Sequence, residues 1–242
     1  MPTVEGRTLD SPPEAGVIGR RDFEEDGELY SACMLDEAGA QAALRRDLRR
    51  MTLREALGEQ SPEAMRPALR GMALLRWLET ARFCGACGSP LHDEEEGSDQ
   101  GSRRCAACGR AFFPRISPAV IILVRKGERA LLAHNARFRP GFFGLIAGFV
   151  EAGETLEEAA IREAKEEAGI EIEDLRYVKS QPWPFPDSLM VAFNARWSSG
   201  EARPDGVEIG ELRWCLRSEL PEIPPKGSVA RYLLDEFASE GA

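Results

Sequence analysis

Residues 148–170, GFVEAGETLEEAAIREAKEEAGI, leave little choice of local structure. Thr155-Leu-Glu-Glu158 is a capping box, with Thr155 as N-cap and Glu158 at N3. Gly169 fits the position just past a helix end, where a left-handed residue is favoured. Together these signals predict a helix of just over three turns across 156–168. Leu156, Ala160, Ile161, Ala164 and Ala168 supply its apolar face. Glu163, Glu166 and Glu167 stand at i, i+3 and i+4 and share one face. Like charges so placed repel by roughly a few tenths of a kcal/mol per pair. On an ordinary solvated face they would alternate with lysine. Here they are clustered behind a glycine-rich loop containing Gly144, Gly148 and Gly153. Three carboxylates on one face form a ligand set for a hard divalent cation.

A second pattern precedes this helix. Cys84-Gly-Ala-Cys87 and Cys105-Ala-Ala-Cys108 are two C-x-x-C knuckles with seventeen residues between them. Zn²⁺ takes four soft ligands in a tetrahedron, and two such pairs supply them. Gly88 and Gly109 each follow the second cysteine of a knuckle, where φ > 0 is commonly needed. A redox dithiol or a pair of disulfides is the competing reading. With all four positions filled by protein, one structural Zn²⁺ per chain is expected. His92 is a minor rival ligand. Cys33 and Cys215 are isolated and read as packing residues. His134 is the only other histidine, so hydrolytic chemistry here would be run by carboxylates and metal.

The chain has 242 residues and a net charge of −10. That balance argues against non-specific binding to long nucleic acid or to an anionic membrane. It leaves room for an anionic ligand held through metal ions. No run of eighteen apolar residues occurs, so no membrane span is expected. The N-terminal MPTVEGRTLDSPPEAG lacks a basic region and an apolar core, so it does not read as a secretory signal. A cytoplasmic location is expected.

Along the chain, Ser11-Pro12-Pro13 reads as loop, and Asp36 to Leu57 reads as helical. Ser61-Pro62-Glu63 reads as an N-cap with Pro at the first helical position. Met65, Leu69, Met72, Leu75 and Leu78 continue that helix. Residues 83–111 carry the knuckles and the acidic run from Asp93 to Glu96. From Pro118 the pattern becomes strand-like, beginning with the apolar run Ala119 to Val124. Lys126-Gly127 reads as a turn. Arg129–Ala133, Leu145–Val150, Leu175–Ser180, Leu189–Trp197 and Leu212–Leu216 are further strands. Helices at about 155–168 and 227–239 interrupt them, so a mixed sheet with helices is expected.

The stretch 148–170 resembles the Nudix box, G-x5-E-x7-R-E-U-x-E-E-x-G-U, with U aliphatic. Gly148, Glu154, Arg162, Glu163, Glu166, Glu167, Gly169 and Ile170 fall on it, and Ala164 takes the U after Arg-Glu. The resemblance implies an α/β/α sandwich that hydrolyses nucleoside diphosphates linked to a further group. It implies several Mg²⁺ or Mn²⁺ ions per site, held by Glu163 and Glu167, with Glu166 close by and the Ala147 carbonyl joining them. It also implies that Arg162 orients these carboxylates. Two metals can bridge phosphate oxygens and lower the pKa of an attacking water. A glutamate of the cluster would take the proton.

Ten residues beyond the box lies Ser180-Gln-Pro-Trp-Pro-Phe-Pro-Asp-Ser188. Its prolines exclude a helix and a central strand. The segment matches SQPWPFPxS, and the zinc ribbon before the box fits the same group, the NADH pyrophosphatases of the Nudix superfamily. The resemblance covers about 84–240. It implies the reaction NADH + H₂O → NMNH + AMP, with NAD⁺ also accepted. Bacterial members also remove NAD from the 5′ end of capped RNA. It implies substrate binding by Gln181, Pro182, Trp183, Pro184, Phe185, Pro186, Asp187 and Ser188, with stacking by Phe149 and Phe113. Relatives often carry Tyr at the Phe113 position, so a hydroxyl is lost there. Glu208 matches a further metal-binding glutamate, Ala230 a substrate contact, and Arg54 an N-terminal basic contact. The acidic ribbon loop offers no counterpart to a substrate-contacting Glu of some relatives. Relatives are homodimers with a shared active site, which implies a dimer here.

The expected architecture is therefore α/β: a small N-terminal α+β domain over 1–82, a four-cysteine zinc ribbon over 83–112, and a Nudix sandwich over 113–242. Two rival functions stand beside the first. One is a Nudix hydrolase of another nucleoside diphosphate derivative such as ADP-ribose. The other is a non-catalytic nucleotide-binding zinc-ribbon protein, against which the intact glutamate set argues.

Overall fold

The structure, a computed structural model, describes residues 3–4, 16–44, 51–93 and 101–239. Ser11-Pro12-Pro13 and Glu94–Glu96 lie outside the described residues. The chain divides into two compact units, 1–116 with Pro184–Asp187, and 117–183 with 188–242.

The first unit contains strands β1 (Thr3–Val4), β2 (Val17–Glu25) and β3 (Glu28–Leu35), then helix α1 (Glu37–Leu44). Strand β4 (Met51–Thr52) and helices α2 (Leu53–Glu59) and α3 (Pro62–Thr80) follow. The expected helix over Asp36–Leu57 is corrected. Met51 and Thr52 pair with β1, and Thr52 starts a new helix through a capping box with Glu55. Helix α3 begins as expected, with Ser61 accepting from the Ala64 N–H. Met65, Leu69 and Met72 are buried along it, joined by Leu74.

Strands β5 (Leu91–Asp93), β6 (Arg103–Cys105) and β7 (Ala111–Phe112) form a small antiparallel sheet. Its core is Ala81, Cys84, Leu91 and Cys105, with Trp77 and Phe112 against it. Arg103 donates to the Ala81 carbonyl at 2.6 Å, and Trp77 donates to the Gly101 carbonyl at 2.8 Å.

The second unit comprises β8 (Ser117–Lys126), β9 (Arg129–Asn135), β10 (Ile146–Phe149), α4 (Leu156–Ala168), β11 (Glu171–Trp183), β12 (Ser188–Ser199), β13 (Ile209–Leu216) and α5 (Val229–Ser239). Among the described residues these strands form one sheet in the order β11-β12-β8-β9-β13, with β10 also paired to β8. The β12–β8 pairing is parallel and the others are antiparallel, so the sheet is mixed. Side chains alternate across a strand, and β8 serves two cores. Val120, Ile122 and Val124 pack with Ala159, Ala160, Ala164 and Ala168 of α4. Ile121 and Leu123 pack with Leu233, Leu234 and Phe237 of α5. The result is the expected α/β/α sandwich.

Three details differ from expectation. Ile161 is 44% exposed and off the buried face of α4, being about 140° round the helix from Leu156. Ala159 takes its place in the core. Gly148 lies in strand β10, as the strand expected over Leu145–Val150 has it, and not in the glycine-rich loop also expected there. Strand β11 continues past Ser180 to Trp183. It can hold Pro182 because it is an edge strand, where a missing N–H breaks no ladder.

Candidate active site and metal centre

Helix α4 carries the acidic cluster. Thr155 accepts from the Glu158 N–H at 3.1 Å, and Glu158 accepts from the Thr155 N–H at 2.8 Å. Gly169 ends the helix at φ 67. Glu163 and Glu167 lie on the side of α4 that also buries its alanines, and they are only 9% and 6% exposed. Glu166, expected on the same face, instead points to solvent.

Arg162 organises this cluster. Its Nε and Nη2 donate to the two Glu154 oxygens at 2.8 and 3.0 Å. Its Nη1 donates to Glu163 Oε1 at 2.8 Å and Glu166 Oε2 at 2.9 Å. Its Nη2 also reaches the Phe149 carbonyl at 2.9 Å. Glu167 accepts from the Ala147 N–H at 3.3 Å. Glu167 is thus tied to β10 directly and Glu163 through Arg162.

Burial pushes Glu167 up to about 8, against the Ala147 N–H, and the charges of Glu163, Glu208 and Asp205 add to the rise. Burial likewise raises Glu163. Here the Arg162 hydrogen bond and charge oppose it, while Glu166 and Glu208 add to it. Glu208 follows a turn built by Asp205, which accepts from the N–H groups of Val207, Glu208 and Ile209. These amides hold Asp205 below the usual carboxylate range. Desolvated oxygens crowded with like charge fit a hard divalent cation, which would neutralise them. Among the described residues these carboxylates do not form a gathered ligand group as the four cysteines do.

The four cysteines are gathered. Among the described residues they are the metal-ligand group, with all sulfurs within 4.8 Å of one another. Cys84 and Cys108 sulfurs are 3.7 Å apart, and those of Cys87 and Cys105 are 3.5 Å apart. Tetrahedral zinc with bonds of about 2.3 Å needs sulfur separations of about 3.8 Å. A disulfide needs about 2.05 Å, so the knuckles fit zinc and not disulfides. Gly88 and Gly109 have φ of 74 and 73, as the knuckles require. The Ser89 N–H pulls the Cys87 thiol down to about 6, towards the thiolate that binds metal.

The remaining expected residues fall in both units. In the second, Phe149 is 56% exposed at the end of β10. Gln181, Pro182 and Trp183 end β11, opposite Met190, Leu189 and Ser188 of β12. Ser188 is buried. Gln181 donates to the Gly227 carbonyl and accepts from the Val229 N–H, which brings it beside Ala230. Ala230 and Ala147 pack against the same core cluster. In the first unit, Phe113 is 56% exposed. Pro184 is buried, and the Phe185–Pro186 bond is cis. The Arg54 guanidinium stands 4.8 Å from the centre of the Phe185 ring. Asp187 forms an ion pair with Arg115 at 3.6 Å. Asp205 was not expected in the site. The Asp205-Gly206 pair ahead of Glu208 was the available signal for a side chain that caps its own turn.

Comparison with known proteins agrees with this geometry. A family model described as NUDIX domain matches residues 114–237. The NAD-capped RNA hydrolase NudC of Edwardsiella ictaluri is 44% identical over 167 residues, 69% of this chain and 64% of that protein. That of Stutzerimonas stutzeri is 40% identical over 185 residues, 76% of this chain and 66% of that protein. For these two, the match spans just under two thirds of the relative. The NudC of Chromobacterium violaceum is 39% identical over 235 residues, 96% of this chain and 86% of that protein. A NUDIX hydrolase structure from Nitrosomonas europaea superposes with a TM-score of 0.52 at 27% identity, covering 59% of this chain and 83% of that one. With its box helix, its sandwich and these relatives, the chain belongs to the NUDIX family of hydrolases.

Proposed function

We propose that the chain hydrolyses the pyrophosphate of NADH and NAD⁺, giving NMNH or NMN and AMP, and removes NAD from the 5′ end of capped RNA. The carrying observation is the pair of buried carboxylates, Glu163 and Glu167, one turn apart on α4 and tied to β10, Glu163 through Arg162. Proteins named NAD-capped RNA hydrolase are 39% to 44% identical to this chain, which supports the substrate class.

Glu163, Glu167, Glu208 and the Ala147 carbonyl would hold Mg²⁺ or Mn²⁺. Those ions would neutralise the phosphate oxygens and lower the pKa of the attacking water. Arg162 keeps the Glu163 carboxylate oriented and pairs with Glu166. A carboxylate among Glu163, Glu166 and Glu167 accepts the proton of the water. In the second unit Phe149 offers an exposed ring for stacking, and Gln181, Pro182, Trp183, Ser188 and Ala230 belong to the dinucleotide-binding segment; in the first unit Phe113 offers an exposed ring, and Pro184, Phe185, Pro186 and Asp187 are the contacts that the motif assigns. The prolines of the motif limit the order lost on binding. Cys84, Cys87, Cys105 and Cys108 hold one structural Zn²⁺. Residues 1–82, 83–112 and 113–242 act as N-terminal domain, ribbon and hydrolase domain, in a cytoplasmic homodimer. Among the described residues no helix is long and apolar enough to cross a membrane.

The test is a panel of NADH, NAD⁺, ADP-ribose and NAD-capped RNA with Mg²⁺ or Mn²⁺, with products separated by chromatography. NMNH and AMP from NADH are expected. No turnover of any dinucleotide by metal-loaded protein overturns the proposal. Exclusive turnover of ADP-ribose would assign the same site a different substrate.

A further inference from the structure

The side chain of Gln181 spans two elements that are far apart in sequence. Its Nε2 donates to the Gly227 carbonyl at 2.7 Å, and its Oε1 accepts from the Val229 N–H at 2.8 Å. One end must donate and the other accept, so the amide has a single workable orientation. Val229 is the first residue of α5, whose opening N–H groups lack partners within the helix. The loop before it is fixed by its own side chains. Ser228 donates to the Pro225 carbonyl and accepts from the Arg231 N–H, and Arg231 donates to the Pro224 carbonyl. Gln181 closes this arrangement onto the end of β11, which among the described residues is an edge strand paired only with β12.

We infer that Gln181 is a positioning residue that locks the end of β11 against the start of α5, setting the distance between Trp183 and Ala230 and hence the width of the dinucleotide site. This assigns its amide a role different from direct contact with substrate. Without the lock, edge strand β11 keeps its pairing with β12 and the packing of Val178 and Lys179 on α5, but its end at Gln181 loses its hydrogen bonds to the start of the helix carrying Ala230. A dinucleotide must then order the two elements on binding, which weakens binding more than it slows chemistry. The inference rests on the proposed function for its substrate but not for its geometry.

The test compares the natural protein with Gln181→Met, which keeps the side-chain length and removes both hydrogen bonds. Hydrogen exchange at the Val229 amide reads the lock directly, and NADH kinetics read its consequence. Expected are exchange at least about tenfold faster, KM raised about tenfold, and kcat reduced less than threefold. A raised KM with Val229 exchange unchanged would mean that Gln181 meets substrate directly, and would overturn the inference. Faster exchange with KM unchanged would reduce the contact to local stability, and would also overturn it. If the natural protein does not turn over NADH, the proposed function fails. AMP and NMNH affinities by calorimetry, compared between the two proteins, then decide the positioning role alone. Gln181→Glu provides a second variant: it keeps the acceptor for Val229 but sets a carboxylate against the Gly227 carbonyl, so KM rises here too.

Discussion

Glu163 lies so close to Gly148 that a Cβ at position 148 would overlap its carboxylate. The glycine is therefore part of the acidic site, although it sits in β10 with an ordinary strand pairing to Val120. Absence of a side chain lets the buried carboxylate rest on the strand backbone.

Gly148→Ala should displace Glu163 and little else. The expected result is a fall in kcat of about 10²-fold or more, with a weakened Mn²⁺ affinity measured by calorimetry. Wild-type kinetics in this variant would show that Glu163 can be relocated without cost.

Glu167 offers a pH test. Its folded value of about 8 lies above the ordinary carboxylate value of 4.5. The folded state holds this proton more tightly, so the contribution of Glu167 to stability is fully present below about 4.5 and is lost as pH rises towards 8. The slope is up to about 1.4 kcal/mol per pH unit within that window. The Tm of metal-free protein should fall between pH 5.5 and pH 8.5, and Glu167→Gln should flatten this dependence. Adding Mg²⁺ should release protons at pH 7, seen as a buffer-dependent heat. The same variant should lose at least about 10³-fold in turnover with an unchanged circular dichroism spectrum.

Arg162 makes five hydrogen bonds through a planar fork to three carboxylates and a carbonyl. Lysine keeps the charge but not the fork. Arg162→Lys should lower kcat about tenfold to a hundredfold, with KM for NADH changed less than threefold. An effect on KM alone would contradict its action through Glu163 and Glu166.

Metal analysis should find about one zinc per chain. Cys105 is completely buried beside Leu91 and Ala81, so Cys105→Ser should lose the zinc and lower the Tm. Less than half an equivalent in the natural protein would count against the ribbon.

Local signals in the sequence specify structure where the physics is local. The Thr155 box, the Gly169 stop, the Ser61 cap and the glycines after each knuckle all concern groups within a few residues. The helix expected over Asp36–Leu57 failed because its charge pattern hid a second box at Thr52-Leu-Arg-Glu55. Ile161 is apolar yet lies off the buried stripe, because angular position and not apolar identity decides what α4 buries. The true buried stripe of α4 passes through Glu163 and Glu167.

By itself, the sequence determined the box helix, the four-sulfur site and the exclusion of the proline-rich stretch from a helix or a central strand, because caps, knuckles and missing N–H groups act over short spans. Tertiary structure alone decided which glutamates are buried, that Gly148 receives Glu163, and that Gln181 is joined to Gly227 and Val229. These depend on how β10 and β11 meet α4 and α5. Desolvation and hydrogen bonding between such elements follow from packing across tens of residues, which no local pattern encodes.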